Sequence, residues 1–248
     1  MTRPSRRPPA YGGRYRGRLA VVTGASGGLG AQLCLDLARA GATVVGLARN
    51  AERLDALAAT LRAALADISE HDGPIDLLIN NAAQDPGVRL ADITEDDFRH
   101  TFDVNFFAPV AATLAVLPAM IERGRGIIVN VSSDGGRLPS PGPGAYPSSK
   151  AALSAFSEST SFRLTPRGVH VHVVYPAFMA TELGLSAVGR GLRKPPRLMD
   201  RKVETVSRTI LKRAGSPALE ISVSGLIDAA MVFRHLMPRT YHRLRKNW

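Results

Sequence analysis

Cysteine is almost absent: Cys34 is the only one in 248 residues. That excludes a disulfide within the chain and a metal site built from cysteines. The six histidines have no metal-ligand spacing supported by further ligands, so no metal site is expected. No apolar run approaches the ~20 residues of a membrane-spanning helix, which predicts that none is present. The basic start MTRPSRRPPAYGGRYRGR has no apolar centre and does not read as a secretory leader. Apolar residues are plentiful at 45%, with 21% charged. This composition excludes a wholly disordered chain and supports a sizeable core. A soluble, globular, cytoplasmic protein is the expectation.

The formal net charge of +11 is uneven. Residues 1–18 hold six arginines and no acid, and residues 190–248 hold fourteen basic against four acidic side chains. The body between them is mildly acidic. Basic ends attract phosphates, nucleic acid or anionic membrane. YGGRYRGR resembles RNA-contacting tails in its Arg and Tyr content, but an idle tail accounts for it better, and no specific nucleic-acid binding is expected.

The chain reads as a disordered basic arm over 1–16 and one domain over 17–248. Apolar runs mark strands at Leu19–Val22, Thr43–Leu47, Asp76–Asn80, Gly126–Val131, Val169–Tyr175 and Leu219–Ser224, with helical patterns between them. Strands alternating with helices predict a parallel sheet covered on both faces. Between the first strand and the first helix lies TGASGGLG, Thr23 to Gly30. Glycines there let the backbone approach a pyrophosphate, whose charge the free N–H groups of the helix N-terminus receive. A tight strand-to-helix turn is the plain alternative, and the βαβ setting favours the dinucleotide.

Further motifs follow in order: Asn80-Asn81-Ala82-Ala83, Asn105, Ser133 and Tyr146-x-x-x-Lys150. With the glycine turn they resemble the short-chain dehydrogenase/reductase family over residues 17–183. The resemblance implies a Rossmann-like, doubly wound α/β fold and a nicotinamide cofactor held by Gly24, Ser26, Gly28, Leu29, Gly30, Asn81, Ala82, Tyr146, Lys150, Pro176 and Thr181. It also implies that Ser133 orients the substrate oxygen and Tyr146 exchanges its proton. Asn105 then belongs to a kinked helix whose water links Lys150 to solvent, and Ser132 makes a structural hydrogen bond. A phenol with a pKa near ~10 needs a nearby cation to act as a base. Lys150, one helical turn from Tyr146, fits that need and would also hold the nicotinamide ribose.

The second strand ends in Gly46-Leu47-Ala48-Arg49-Asn50, with no acid. An acid there favours a ribose 2′-hydroxyl and an Arg a 2′-phosphate, so Arg49, helped by Ser26, points to NADP(H), with NAD(H) as the alternative. Ala83 and Ala177 stand where the family usually has glycine.

One departure is larger. Between Arg49 and Asn80 the family usually has helix, strand and helix, and this segment is too short for all three. Asp67-Ile68 can pass for the end of the third strand, but a parallel crossover needs about a dozen residues, more than remain. Leu54, Leu57, Leu61, Leu65 and Ile68 instead follow helical spacing. One helix over Ala51–Ser69 is expected, on the face opposite the first helix. The sheet then has six strands in the order 2-1-4-5-6-7 of the family's labels.

Residues 184–248 supply the substrate loop and C-terminal helices. Leu226–Met237 is apolar almost all round and is followed by a basic end. It suits a cover for the cleft, a subunit contact or a peripheral membrane contact, subunit packing being preferred. The reading is an NADP(H)-dependent oxidoreductase, a homo-oligomer, interconverting a carbonyl and a secondary alcohol on a small apolar molecule. The alternative is a nucleotide-binding regulatory or partner protein with impaired catalysis.

Overall fold

A computed structural model describes residues 11–48, 57–139, 142, 144–189 and 200–245. Six strands form one parallel sheet: β1 (Leu19–Thr23), β2 (Thr43–Leu47), β3 (Ile75–Asn80), β4 (Gly126–Val131), β5 (Val169–Tyr175) and β6 (Glu220–Ser222). Their order is β2-β1-β3-β4-β5-β6, as expected for a sheet lacking the third strand. The central strands are buried on both faces, which is why they read as unbroken apolar runs.

Helices cover both faces. α2 (Gly28–Arg39) and α9 (Val203–Arg213) pack Leu29, Leu33, Leu37, Val206 and Ile210 against Ala20, Val22 and Val129. On the other face, α3 (Leu57–His71) and α5 (Ala108–Glu122) pack Leu65, Ile68, Val116 and Met120 against Val21, Leu78 and Ile128. α3 therefore lies opposite α2, as a right-handed return requires. It runs two residues beyond Ser69, and its expected start at Ala51 lies outside the described residues. Asp67 sits on this helix, bonded to His71, and ends no strand.

Two expectations are corrected. Residues 11–16 are not a disordered arm. A helical turn, α1 (Gly12–Tyr15), buries Tyr11 and Tyr15 in the core. The Tyr15 hydroxyl donates to Leu211 O at 2.7 Å, and Arg14 donates to Ala214 O at the end of α9. Residues 1–10 lie outside the described part. Second, the continuous helix Glu95–Glu122 is long and apolar enough to cross a membrane by length and composition. Polar residues interrupt its apolar runs, so run length missed it. Half of its apolar stretch is buried, with Ala112, Val116 and Met120 in the sheet core, the packing of a core helix.

Candidate active site

The chain leaves β1 toward β2 on one side and returns to β3 on the other, so the crevice of this sheet opens at the C-terminal ends of β1 and β3. The glycine turn occupies that point. Gly24 and Gly28 have φ of +68° and +53°, a conformation that side chains rarely adopt. A Cβ on Gly30 would stand 2.1 Å from Gly24 O, so only glycine lets α2 pack this close to β1. Gly27 faces open space and Ser26 is exposed beside it. The first turn of α2 has no side-chain cap, leaving its N–H groups for a ligand. This cradle fits a dinucleotide pyrophosphate.

Asn81 fastens the cradle from β3. Its side chain donates to Thr23 O at 3.0 Å and Gly24 O at 3.3 Å, while the Asn81 and Ala82 N–H groups both donate to Thr23 Oγ1 at 3.0 Å. Thr181 closes the other side, its methyl 3.1 Å from where a Gly28 Cβ would be. The segment bearing Pro176 and Thr181 is pinned beyond α8 (Glu182–Gly189), because Phe178 pairs with Asp200. Arg49 lies outside the described residues.

The proposed catalytic residues converge at the C-terminal end of β4. Ser133 follows the strand and caps α6 (Asp134–Arg137), its Oγ accepting from Gly135 N at 3.1 Å. Tyr146 and Lys150 open α7 (Ala145–Leu164). The Ser133 side chain stands beside the Tyr146 phenol. Burial pushes that phenol up to about 12, with the Ser133 hydroxyl opposing and the charges of Asp85 and Asp134 adding to the rise. Lys150 is buried, and burial pushes its ammonium down to about 7. Its Nζ donates to Val131 O at 2.8 Å and lies 6.0 Å from the Tyr146 ring centre. Lys150 therefore stands near Tyr146, but desolvation outweighs its effect here, unlike the expected lowering of the phenol pKa. Ser132 makes the structural bonds expected of it, to Lys150 O at 2.9 Å and Ser154 Oγ at 2.8 Å.

Asn105 sits in a π-helical turn, Asp103–Phe107, between α4 (Glu95–Phe102) and α5, which is the expected kink. Its amide bonds the main chain of Gln84 and donates to Ser149 Oγ at 3.0 Å. Asn105 thus ties the loop after Asn81 to α7, beside Lys150.

Sequence reasoning missed several neighbours. Asp85 and Asp134 act electrostatically on Tyr146, and nothing in their local pattern marks them. Arg137 is largely buried and pairs with Asp134, Glu220 and Asp228, with its guanidinium 3.7 Å from the Tyr175 ring centre. It lines a cavity of about 560 Å³ with Tyr175, Glu220, Met231 and Arg234. His172, in contrast, is structural, bonded to Gly215 N and Ala218 O at 2.8 Å each.

A family model described as short chain dehydrogenase matches residues 18–69 and 58–188. The two pieces meet where the third strand is missing. A short chain dehydrogenase of Pseudocercospora fijiensis is 37% identical over 203 residues, covering 73% of this chain and 66% of that protein. Dehydrogenase/reductase SDR family member 7B of Xenopus laevis is 30% identical over 262 residues, covering 93% and 81%. A crystal structure of a short-chain dehydrogenase from Streptomyces avermitilis superposes with a TM-score of 0.74 at 27% identity, covering 89% of this chain and 92% of that one. The chain is a member of the short-chain dehydrogenase/reductase family of oxidoreductases.

Proposed function

We propose that the protein is an NADP(H)-dependent enzyme that interconverts a carbonyl and a secondary alcohol on a small, apolar substrate. The observation that carries this reading is the convergence of Ser133 and Tyr146 beside buried Lys150, at the same sheet edge as the glycine cradle. A nicotinamide dinucleotide bound in the cradle supplies or removes the hydride. Gly24, Ser26, Gly28, Leu29 and Gly30 receive its pyrophosphate. Asn81 and Ala82 wall the crevice, while Pro176 and Thr181 close over its nicotinamide end. Arg49 meets the 2′-phosphate.

In the reductive direction the Ser133 hydroxyl donates to the substrate oxygen, and Tyr146 gives that oxygen its proton. The phenol is half-buried and neutral at physiological pH, the form an acid needs. Lys150 binds the ribose hydroxyls once its ammonium leaves Val131 O, and from there it favours the phenolate that remains. Asn105 keeps Gln84 and Ser149 in place around that proton path. In the oxidative direction the same groups act in reverse. Copy-to-copy contact is assigned to the π turn, α5 and α7, where Phe107, Leu114 and Phe162 respectively are exposed.

Thermal-shift titration with NADPH and NADH, followed by an NADPH-linked carbonyl panel, tests the reading. At ~100 Kd a ligand adds about 2.7 kcal/mol. A larger shift with NADPH, with turnover lost in Tyr146→Phe while the shift persists, is expected. Equal turnover in Tyr146→Phe removes the role of the phenol.

The second reading, a nucleotide-binding regulator, is favoured by the Lys150 contact with Val131 O and by the raised Tyr146 pKa. It would be established by cofactor binding with no turnover on any carbonyl tested.

A further inference from the structure

Helix α10 (Gly225–Leu236) buries Ile227 but also presents a second apolar face to solvent. Its charged side chains point toward α6: Asp228 accepts from Arg137 at 3.0 Å, and Arg234 donates to Arg137 O. Its solvent face holds Leu226, Ala229, Val232 and Leu236 at helical spacing, with Leu236 76% and Val232 58% exposed. Met237 continues this face at the junction with α11 (Pro238–Arg245). A continuous apolar stripe of this kind calls for a cover.

The adjoining charge is of one sign. Arg239 and Arg243 are exposed one turn apart on α11, and residues 229–245 contain no acid. Among the described residues neither arginine has an ion-pair partner, whereas the inward Arg137 is held by three acids. A second copy packed face to face here would bring two acid-free, arginine-bearing patches together, which like-charge repulsion disfavours. An anionic surface neutralises them instead. At twelve residues α10 is too short to cross a bilayer but can lie in its interface.

We propose that α10 and α11 dock the protein on an anionic lipid bilayer. Leu226, Val232, Leu236 and Met237 enter the acyl boundary, and Arg239 and Arg243 reach the headgroups on extended stems.

The test is co-sedimentation of the full chain with vesicles of 70:30 phosphatidylcholine and phosphatidylserine, and with phosphatidylcholine alone, at 50 and 300 mM salt. Binding to the mixed vesicles, weakened by high salt and by omission of phosphatidylserine, is expected. Arg239→Gln with Arg243→Gln should lower the partition coefficient roughly 25-fold, about fivefold per arginine. Val232→Asp with Leu236→Asp should abolish binding, and because both positions are exposed the melting temperature should hold. If the aspartate pair fails to fold, the glutamine pair decides. No binding to the mixed vesicles overturns the proposal. Binding that survives both double variants also overturns it, by assigning the lipid contact to another basic segment. A wild-type dimer that the aspartate pair makes monomeric, without vesicle binding, overturns it in favour of a second copy.

Discussion

Asn105 holds the main chain of Gln84 from both sides, accepting from its N–H at 2.8 Å and donating to its C=O at 2.8 Å. Asn105 is fully buried at the π turn and sits between the cofactor crevice and α7. Asn105→Ala leaves Gln84 N and O and Ser149 Oγ without these partners. The expected loss is about 2 kcal/mol, a fall of several degrees in Tm for a chain of this size. Turnover should fall more than cofactor affinity, since the cradle itself is held by Asn81. Unchanged Tm and kcat would show that the clamp is dispensable.

Among the described residues Ala177 is the one non-glycine with positive φ, +62°. Its main chain faces the Asp134 carboxyl and lowers that group's pKa against the larger rise from burial. A Cβ there costs on the order of 1 kcal/mol. Ala177→Gly should raise Tm by a few degrees. Ala83 replaces a second family glycine but has ordinary φ, so Ala83→Gly should lower stability slightly or leave it unchanged. Calorimetry on the two variants separates them.

Asp85 adds negative charge near Tyr146 and so raises its pKa. Asp85→Asn should move the midpoint of the pH–rate profile for alcohol oxidation to lower pH, because phenolate forms more readily. Asp85→Glu should keep the wild-type midpoint. A midpoint that Asp85→Asn leaves in place would assign the shift to burial alone.

Lys150 is charged at low pH in a site that disfavours the charge, and its pKa falls to about 7 from 10.5. Between these values the unfolded chain binds more protons, so stability rises with pH across that window. Lys150→Met keeps the volume and removes the charge. It should raise Tm at pH 6 and lose that advantage by pH 10, while turnover collapses at every pH. Paired melting and rate profiles check both halves.

His172 is buried neutral, its pKa pushed down to about 4 mainly by burial. Its stabilising effect is complete above pH 6.5 and is lost as pH falls toward 4, where the unfolded chain alone takes up the proton. At pH 4 the loss amounts to about 3 kcal/mol. His172→Asn should be less stable at pH 7.5 and should flatten the fall in Tm between pH 6.5 and 4.

Much of this fold is readable from patterning because the central strands of a parallel sheet are apolar on both faces. β4 and β5 begin and end at the residues where their apolar runs do. The missing strand was readable for a steric reason, since six residues between Asp67-Ile68 and the next strand cannot carry a parallel crossover. Contacts made across the chain were not readable. Tyr11 and Tyr15 lie in an arginine-rich stretch that gives no local hint of α9. The left-handed turn at Ala177 has no local glycine to announce it, and the burial of Arg137 draws on Glu220 and Asp228, far along the chain, as well as on nearby Asp134. The motif residues of the candidate site were legible, but the two carboxylates that tune Tyr146 were not.

The Tyr15 hydroxyl and its acceptor on Leu211 are 196 positions apart. A ribosome adding ~5–20 residues per second needs roughly 10–40 s to cover that distance. Through that interval α1 has no α9 to rest on. An early stretch carrying two tyrosines and several arginines is left open to proteases and chaperones. Its docking is among the last events of folding, and it closes the molecule by returning to residues made long before α9. A fusion or tag that hinders residues 11–16 should therefore show itself as slow maturation before it shows itself as lost activity.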